Sequence, residues 1–239
     1  MMPTLLILAG GRGERLRAAV ADRPKPLAEV AGRPFLEYLV AQSRGWKCTD
    51  IVLCVGHQAD QVMSHFGDGS AFGVSIRYSV EKELLGTAGA LRLARDLIRT
   101  DSFLVFNGDS YCDADLDALI SHHRGWGAQA TLVVSRVEDR TAFGSVEVGE
   151  GSRVRGFLEK GSGQGSGWVN AGIYLLERLL LNAVPADRAC SIEREIFPTL
   201  IATGLYAFPC AVPFLDIGTP ESLAAAQSLL PQRVNHREK

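Results

Sequence analysis

The sequence predicts an α/β protein, a mainly parallel sheet covered by helices on both faces and carrying a small β-rich insertion. Three observations lead there. Short apolar runs alternate with helical periodicities over the first half of the chain, the pattern of a parallel sheet buried on both sides. From Ala130 to Leu158 the helical intervals disappear and three strand-like segments follow closely. The 239 residues, 46% hydrophobic and 22% charged, suffice for a sizeable core, which excludes intrinsic disorder except at the ends.

Thr4 to Ala9 is apolar and stops at Gly10-Gly11, a buried strand entering a glycine loop. Pro34 opens a helix whose apolar positions are Phe35, Leu36, Leu39 and Val40, with Gly45 as its C-cap. Ile51 to Val55 is a second buried strand. A short helix over Gln58 to Phe66, a strand over Val74 to Ser79, a helix over Thr87 to Ile98 and a strand over Phe103 to Phe106 continue the alternation. After a helix from Asp115 to Arg124 comes the insertion, with strands Ala130 to Val134, Ser145 to Val148 and Val154 to Leu158 and a turn at Gly149-Glu150-Gly151-Ser152. Val169 to Leu176, a helix over Ile192 to Thr203 and Leu205 to Phe208 return to the sheet. The helix Pro220 to Leu230 closes a single domain, 1–230, leaving a polar tail, 231–239.

Charge and cysteine usage narrow the function classes. Lys+Arg 25 against Asp+Glu 27 gives a net charge of -2, so nucleic acid is not the expected partner and any anion must be held by a local cluster. Cys48, Cys54, Cys112, Cys190 and Cys210 form no C-x-x-C pair, and their odd number argues for a reducing compartment. No apolar run approaches the ~20 residues that span a bilayer, and Leu5 to Ala9 is too short for a signal segment. The expectation is a cytoplasmic protein with no membrane partner; its oligomeric state is left open, a homodimer included.

The best local signal is Leu8-Ala9-Gly10-Gly11-Arg12-Gly13-Glu14-Arg15-Leu16, followed by Pro24-Lys25-Pro26-Leu27. Glycines after a strand let backbone N–H groups approach a phosphate chain, and Arg12, Arg15 and Lys25 can supply the countercharge. No Walker A loop matches, and the third glycine of a dinucleotide loop is replaced by Leu16. A tight βα turn with solvated arginines is the alternative. Asp109 after an apolar strand and Asp216 before Ile217-Gly218 can each bind a ligand or cap a turn. Asp113-Ala114-Asp115 imitates the D-x-D of metal-dependent glycosyltransferases, but its place before a helix favours an N-cap.

Taken with Leu85-Gly86-Thr87-Ala88-Gly89-Ala90, Asn107-Gly108-Asp109, Glu159-Lys160, Asn170-Ala171-Gly172 and Asp216-Ile217-Gly218-Thr219-Pro220, the glycine loop and Pro24-Lys25-Pro26 resemble the nucleotidyltransferases that join a nucleoside triphosphate to a sugar 1-phosphate. Gly32-Arg33-Pro34-Phe35-Leu36, Phe66-Gly67-Asp68-Gly69 and Ser191-Ile192-Glu193 resemble the D-glycero-α-D-manno-heptose 1-phosphate guanylyltransferase branch. The resemblance implies a three-layer Rossmann-like (GT-A-like) fold with a mixed, mainly parallel sheet, GTP and the heptose 1-phosphate as substrates, and Mg²⁺ as cofactor. Uridylyl transfer or another hexose 1-phosphate is the alternative within the family. A silent regulatory subunit and a glycosyltransferase are the alternatives outside it.

By the same resemblance Arg15 and Lys25 are catalytic, neutralising the α-phosphate and the leaving group. Ala9, Gly10, Gly11, Arg12, Gly13, Glu81, Gly86, Thr87 and Asp109 would bind the nucleotide. Gly144, Glu159, Lys160 and Asn170 would bind the sugar phosphate, and Asp109 and Asp216 the metal. Where the family loop has threonine this chain has Glu14, a carboxylate beside a triphosphate site.

Overall fold

The computed structural model describes the chain except residues 1, 14, 15, 17–19, 21, 22, 142, 143, 159–163, 213 and 236–239. Thr4–Leu8 forms β1, whose side chains alternate between two apolar layers, Leu5 and Ile7 toward one and Leu6 toward the other. A hairpin of two-residue strands, β2 (Glu29–Val30) and β3 (Arg33–Pro34), leads into α1 (Phe35–Gly45). The alternation continues through β4 (Asp50–Val55), α2 (Ala59–Phe66), β5 (Ser75–Val80), α3 (Gly86–Leu93) and β6 (Ser102–Asn107). The short β7 (Ser110–Tyr111) and α4 (Leu116–Gly125) precede the insertion, β8 (Ala130–Val137), β9 (Ser145–Val148), β10 (Val154–Leu158) and the long β11 (Gly167–Glu177). A π-helical turn over Ile192–Ile196 runs into α5 (Phe197–Leu200), and β12 (Leu205–Cys210), β13 (Leu215–Asp216) and α6 (Pro220–Asn235) follow.

The sheet has the order β10-β9-β11-β6-β1-β4-β5, with β8 against β11 and β12 outside β8. Its centre is parallel: β1 pairs with both β4 and β6, and β4 with β5. On one face lie α1, α2, α4 and α6, burying Phe35, Leu39, Val62, Phe66, Leu119 and Leu230. On the other lie α3 and α5, burying Leu91, Phe197 and Leu200. The three-layer α/β architecture matches the expectation. All five cysteines are free and buried, and no helix among the described residues is long and apolar enough to cross a membrane.

Several boundaries differ from the sequence reading. The helix over Thr87 to Ile98 stops at Leu93 and gives way to a 3₁₀ turn at Arg95–Leu97. The Ile192 to Thr203 helix is a π turn and one α-helical turn, broken where Pro198 brings no N–H to the ladder. The left-handed residue after α1 is Lys47, not Gly45. α6 passes Pro231 and reaches Asn235; the proline deprives only the carbonyl of Gln227, an exposed residue that water can serve. The strands β2, β3, β7 and β13, two residues each, carry no periodicity to read.

Candidate active site

A cleft of about 840 Å³ opens at the carboxyl ends of β1, β4 and β6, the edge where open α/β sheets receive ligands. Ala9, Gly10, Gly11, Arg12 and Gly13 form one wall. A side chain would be crowded at two of these positions. A Cβ on Gly10 would collide with Glu81 Oε1, and Gly13 has φ +61° and would press a Cβ to 2.9 Å from Lys25 Cβ. Gly11 faces open space, so the backbone there is bare toward the cleft.

Lys25 owes its position to its prolines. The 3₁₀ turn Lys25–Leu27 is closed by Leu27 N donating to Pro24 O at 2.8 Å and Ala28 N donating to Lys25 O at 2.9 Å, with Pro26 and Leu27 buried. The lysine is thereby held between the glycine loop and Asp109, and Lys25 Nζ donates to Asp109 Oδ2 at 2.6 Å.

Asp109 and Asp216, 107 positions apart in the numbering, meet because β7 pairs antiparallel with β13, Asp216 opposite Ser110, and Ile217 N donates to Asp109 O at 2.9 Å. Asp216 also shapes the turn into α6: its Oδ1 accepts from Gly218 N at 2.6 Å and from Ser222 Oγ at 3.1 Å. These contacts are those of the turn-capping reading. Two carboxylates are few for a protein-only metal cage, and among the described residues no group of three or more His, Cys, Asp or Glu could hold an ion. That donor set suits Mg²⁺, which completes its octahedron with phosphate and water oxygens.

Glu81 follows β5 and lies against the glycine loop. Its Oε2 accepts from Leu85 N at 3.1 Å, and burial pushes its carboxyl above the usual range while the Leu85 bond partly restrains the shift. Gly86 has φ +71°, and a Cβ there would come within 2.6 Å of Cys190 O. Cys190 O accepts from Ala88 N at 2.9 Å, Cys190 N donates to Leu85 O at 2.8 Å, and Ile192 N donates to Thr87 Oγ1 at 2.8 Å. The 190–192 segment is thus latched to the start of α3, which brings Glu193 into the cleft wall.

Asn170 begins a bulge in β11, where the register against β8 shifts between Asn170 and Tyr174 and Gly172 takes φ +77°. Asn170 Nδ2 donates to Tyr174 Oη and to Glu193 Oε1, both at 2.8 Å, and Tyr174 Oη donates to Glu193 Oε1 at 2.7 Å.

Of the sequence-predicted residues, Ala9, Gly10, Gly11, Arg12, Gly13, Lys25, Glu81, Gly86, Thr87 and Asp109 line the cleft. Asp216 flanks it through Gly218, Asn170 stands behind Glu193, and Gly144 borders Leu158 O away from the cleft lining. Glu14, Arg15, Glu159 and Lys160 lie outside the described residues. Asp115 caps α4, its side chain accepting from Ala118 N at 2.9 Å, the N-cap its place before a helix favours. Glu193 and Asn107 are cleft residues that no role had been read for; in Ile192-Glu193-Arg194-Glu195-Ile196 the acid looks like one more exposed helical charge.

The nucleotidyl transferase family description matches residues 4–233. The chain is 39% identical over 219 residues to a mannose-1-phosphate guanylyltransferase of Mycobacterium tuberculosis, covering 90% of this chain and 61% of that protein. It is 34% identical over 237 residues to mannose-1-phosphate guanyltransferase beta-B of Xenopus laevis, covering 97% and 66%. The chain thus spans less than two thirds of the length of these curated relatives. HddC from Yersinia pseudotuberculosis, crystallised in complex with GMP-PN, superposes with a TM-score of 0.85 at 31% identity, covering 96% of this chain and 100% of that one.

Proposed function

Because the chain belongs to the nucleotidyl transferase family, we propose that it is an enzyme joining GTP to a manno-configured sugar 1-phosphate, D-glycero-α-D-manno-heptose 1-phosphate first, with release of pyrophosphate. The observation that carries this reading is the meeting of one glycine loop, Lys25 and two aspartates at the carboxyl ends of parallel strands. Mannose 1-phosphate is the second reading, favoured by the names of the relatives. The two sugars share their ring configuration and differ at the exocyclic end.

The reaction asks little proton chemistry of the protein. A sugar phosphate oxygen, already anionic because the second phosphate pKa is near 6, attacks the α-phosphorus in line with departing pyrophosphate. What remains is alignment and charge neutralisation. The glycine loop offers backbone to the triphosphate, and Lys25, together with Arg15 by the family resemblance, meets the charge that grows on the leaving group. Asp109 and Asp216 would hold Mg²⁺, which supplies Lewis-acid polarisation of the α-phosphate. Lys160 and Glu159 are assigned to the sugar phosphate by the family resemblance.

Glu81 supports guanine as the base. Guanine presents N1–H and the N2 amino group side by side, two donors that suit a carboxylate, whereas uracil and thymine present one N–H flanked by two carbonyl acceptors that repel it. A cytoplasmic setting, where the triphosphate is made and buried thiols stay reduced, suits this activity. Equilibrium binding of GTP and UTP to the purified chain tests the base: GTP binds more tightly by the proposal, and equal affinity contradicts it.

A further inference from the structure

We propose that Glu193 is the residue that reads the sugar ring, with Asn170 and Tyr174 as its positioning residues. The inference deepens the function proposed above and rests on it.

A hydrogen-bond accounting leads there. The Tyr174 hydroxyl has one proton and two lone pairs, and all three are committed. It accepts from Asn107 Nδ2 at 3.3 Å and from Asn170 Nδ2 at 2.8 Å, so its proton goes to Glu193 Oε1 at 2.7 Å. Tyr174 is buried, and burial together with the charge of Glu193 holds its hydroxyl well above pH 10, which keeps that proton in place. One N–H of the Asn170 amide is shared between Tyr174 Oη and Glu193 Oε1, each 2.8 Å from Nδ2 and 2.7 Å from one another, and its Oδ1 accepts from Gly172 N at 3.0 Å. The amide oxygen and one of its N–H groups are therefore held within the network. Glu193 and Asn107 are the members of the network that line the cleft; Glu193 is the acceptor of the two, and with Oε1 taken by Asn170 and Tyr174 it has Oε2 to offer.

The backbone is built for this placement. Glu193 stands in a π-helical turn, an irregularity that recurs at functional sites, and Phe197 just beyond it packs edge-on against the Tyr174 ring at 5.2 Å. Asn107, the far end of the network, precedes Gly108 and Asp109 at the phosphate end of the same cleft. A carboxylate oxygen is acceptor-only, so the group it selects is a hydroxyl donor on the ring of the sugar 1-phosphate. A substrate lacking that hydroxyl strands a charged acceptor against the cleft wall.

The test is steady-state kinetics of the full chain with GTP, D-mannose 1-phosphate and its 2-deoxy, 3-deoxy and 4-deoxy analogues. Glu193→Gln is expected to raise the KM for mannose 1-phosphate on the order of 10- to 100-fold, the loss of one charge-assisted hydrogen bond, with the KM for GTP unchanged. The wild type is expected to reject at least one deoxy analogue, and the variant to lose that discrimination. Glu193→Asp keeps the charge and the fold but withdraws it by one methylene, and should fall between the two. Unchanged sugar KM in both variants, or an equal rise for GTP and sugar, overturns the assignment. Wild-type turnover of no sugar 1-phosphate with any triphosphate overturns instead the function on which it rests.

Discussion

The ammonium of Lys25 lies 2.6 Å from a carboxylate oxygen of Asp109, the lysine side chain 12% exposed and the aspartate 38%. The pair is a resting arrangement of two groups that the proposed reaction uses separately. In the proposed reaction a triphosphate would draw the lysine toward its own oxygens and leave Asp109 for a divalent cation. Because the cation is held from one side by a proline-framed turn and from the other by its partner, it is aimed before substrate arrives, the preorganisation on which electrostatic catalysis depends.

Lys25→Ala is accordingly expected to lower kcat on the order of 10²-fold or more while the chain still folds, and Arg15→Ala to do the same. Single-turnover rates at saturating substrate check it. A normal rate removes that residue from the mechanism.

Asn substitution at either aspartate should abolish most Mg²⁺-dependent turnover. The two differ in stability. Asp216→Asn keeps the oxygen that Gly218 N and Ser222 Oγ use, so its melting temperature should match the wild type. Asp109→Asn strips Lys25 of its counter-ion and should melt slightly lower. Full turnover by either variant, or undiminished wild-type activity in excess EDTA, refutes the metal assignment.

Glu81 gives a test in pH. Its folded-state pKa is raised above 4.5, chiefly by burial, so between 4.5 and that raised value the folded chain binds more protons than the unfolded one and stability falls as pH rises. At neutral pH the ionised group therefore costs stability. Glu81→Gln should melt higher than the wild type near pH 7 and lose the advantage near pH 4, below the carboxyl's ordinary 4.5. It should also shift base preference from GTP toward UTP. Thermal melts at the two pH values and paired KM values check both halves. A variant that melts lower at neutral pH contradicts the first.

Much of this was legible in the sequence, for physical reasons. A buried parallel strand must be a continuous apolar run, so Thr4 to Ala9, Ile51 to Val55 and Phe103 to Phe106 marked β1, β4 and β6, and glycines following the first marked where backbone had to stay bare. The pairing of Asp109 with Asp216 depends on β7 and β13, too short to leave any periodicity; the family resemblance, and the place of each aspartate after a strand-like segment, were the signals for it. Glu193 was hidden for a different reason. A π turn and a helix share the same local composition, and what distinguishes this glutamate is a tyrosine 19 positions earlier that no spacing rule connects to it.

Gly86→Ala probes the latch between α3 and the 190–192 segment. It imposes φ +71° on a residue with a Cβ and drives that atom to 2.6 Å from the Cys190 carbonyl. The expected cost is about 1–3 kcal/mol, with a raised KM for GTP because the cleft wall it anchors moves. Denaturant unfolding and GTP titration measure the two. An unaltered stability would mean that the latch yields freely.

The central claim is tested most directly by pyrophosphate release from a matrix of five triphosphates, ATP, GTP, CTP, UTP and dTTP, against sugar 1-phosphates that include D-glycero-α-D-manno-heptose, mannose and glucose. The account predicts release that requires both substrates, is highest with GTP, and favours the two manno-configured sugars over glucose. Release with UTP or dTTP and glucose 1-phosphate in preference, or none in any combination, would contradict it.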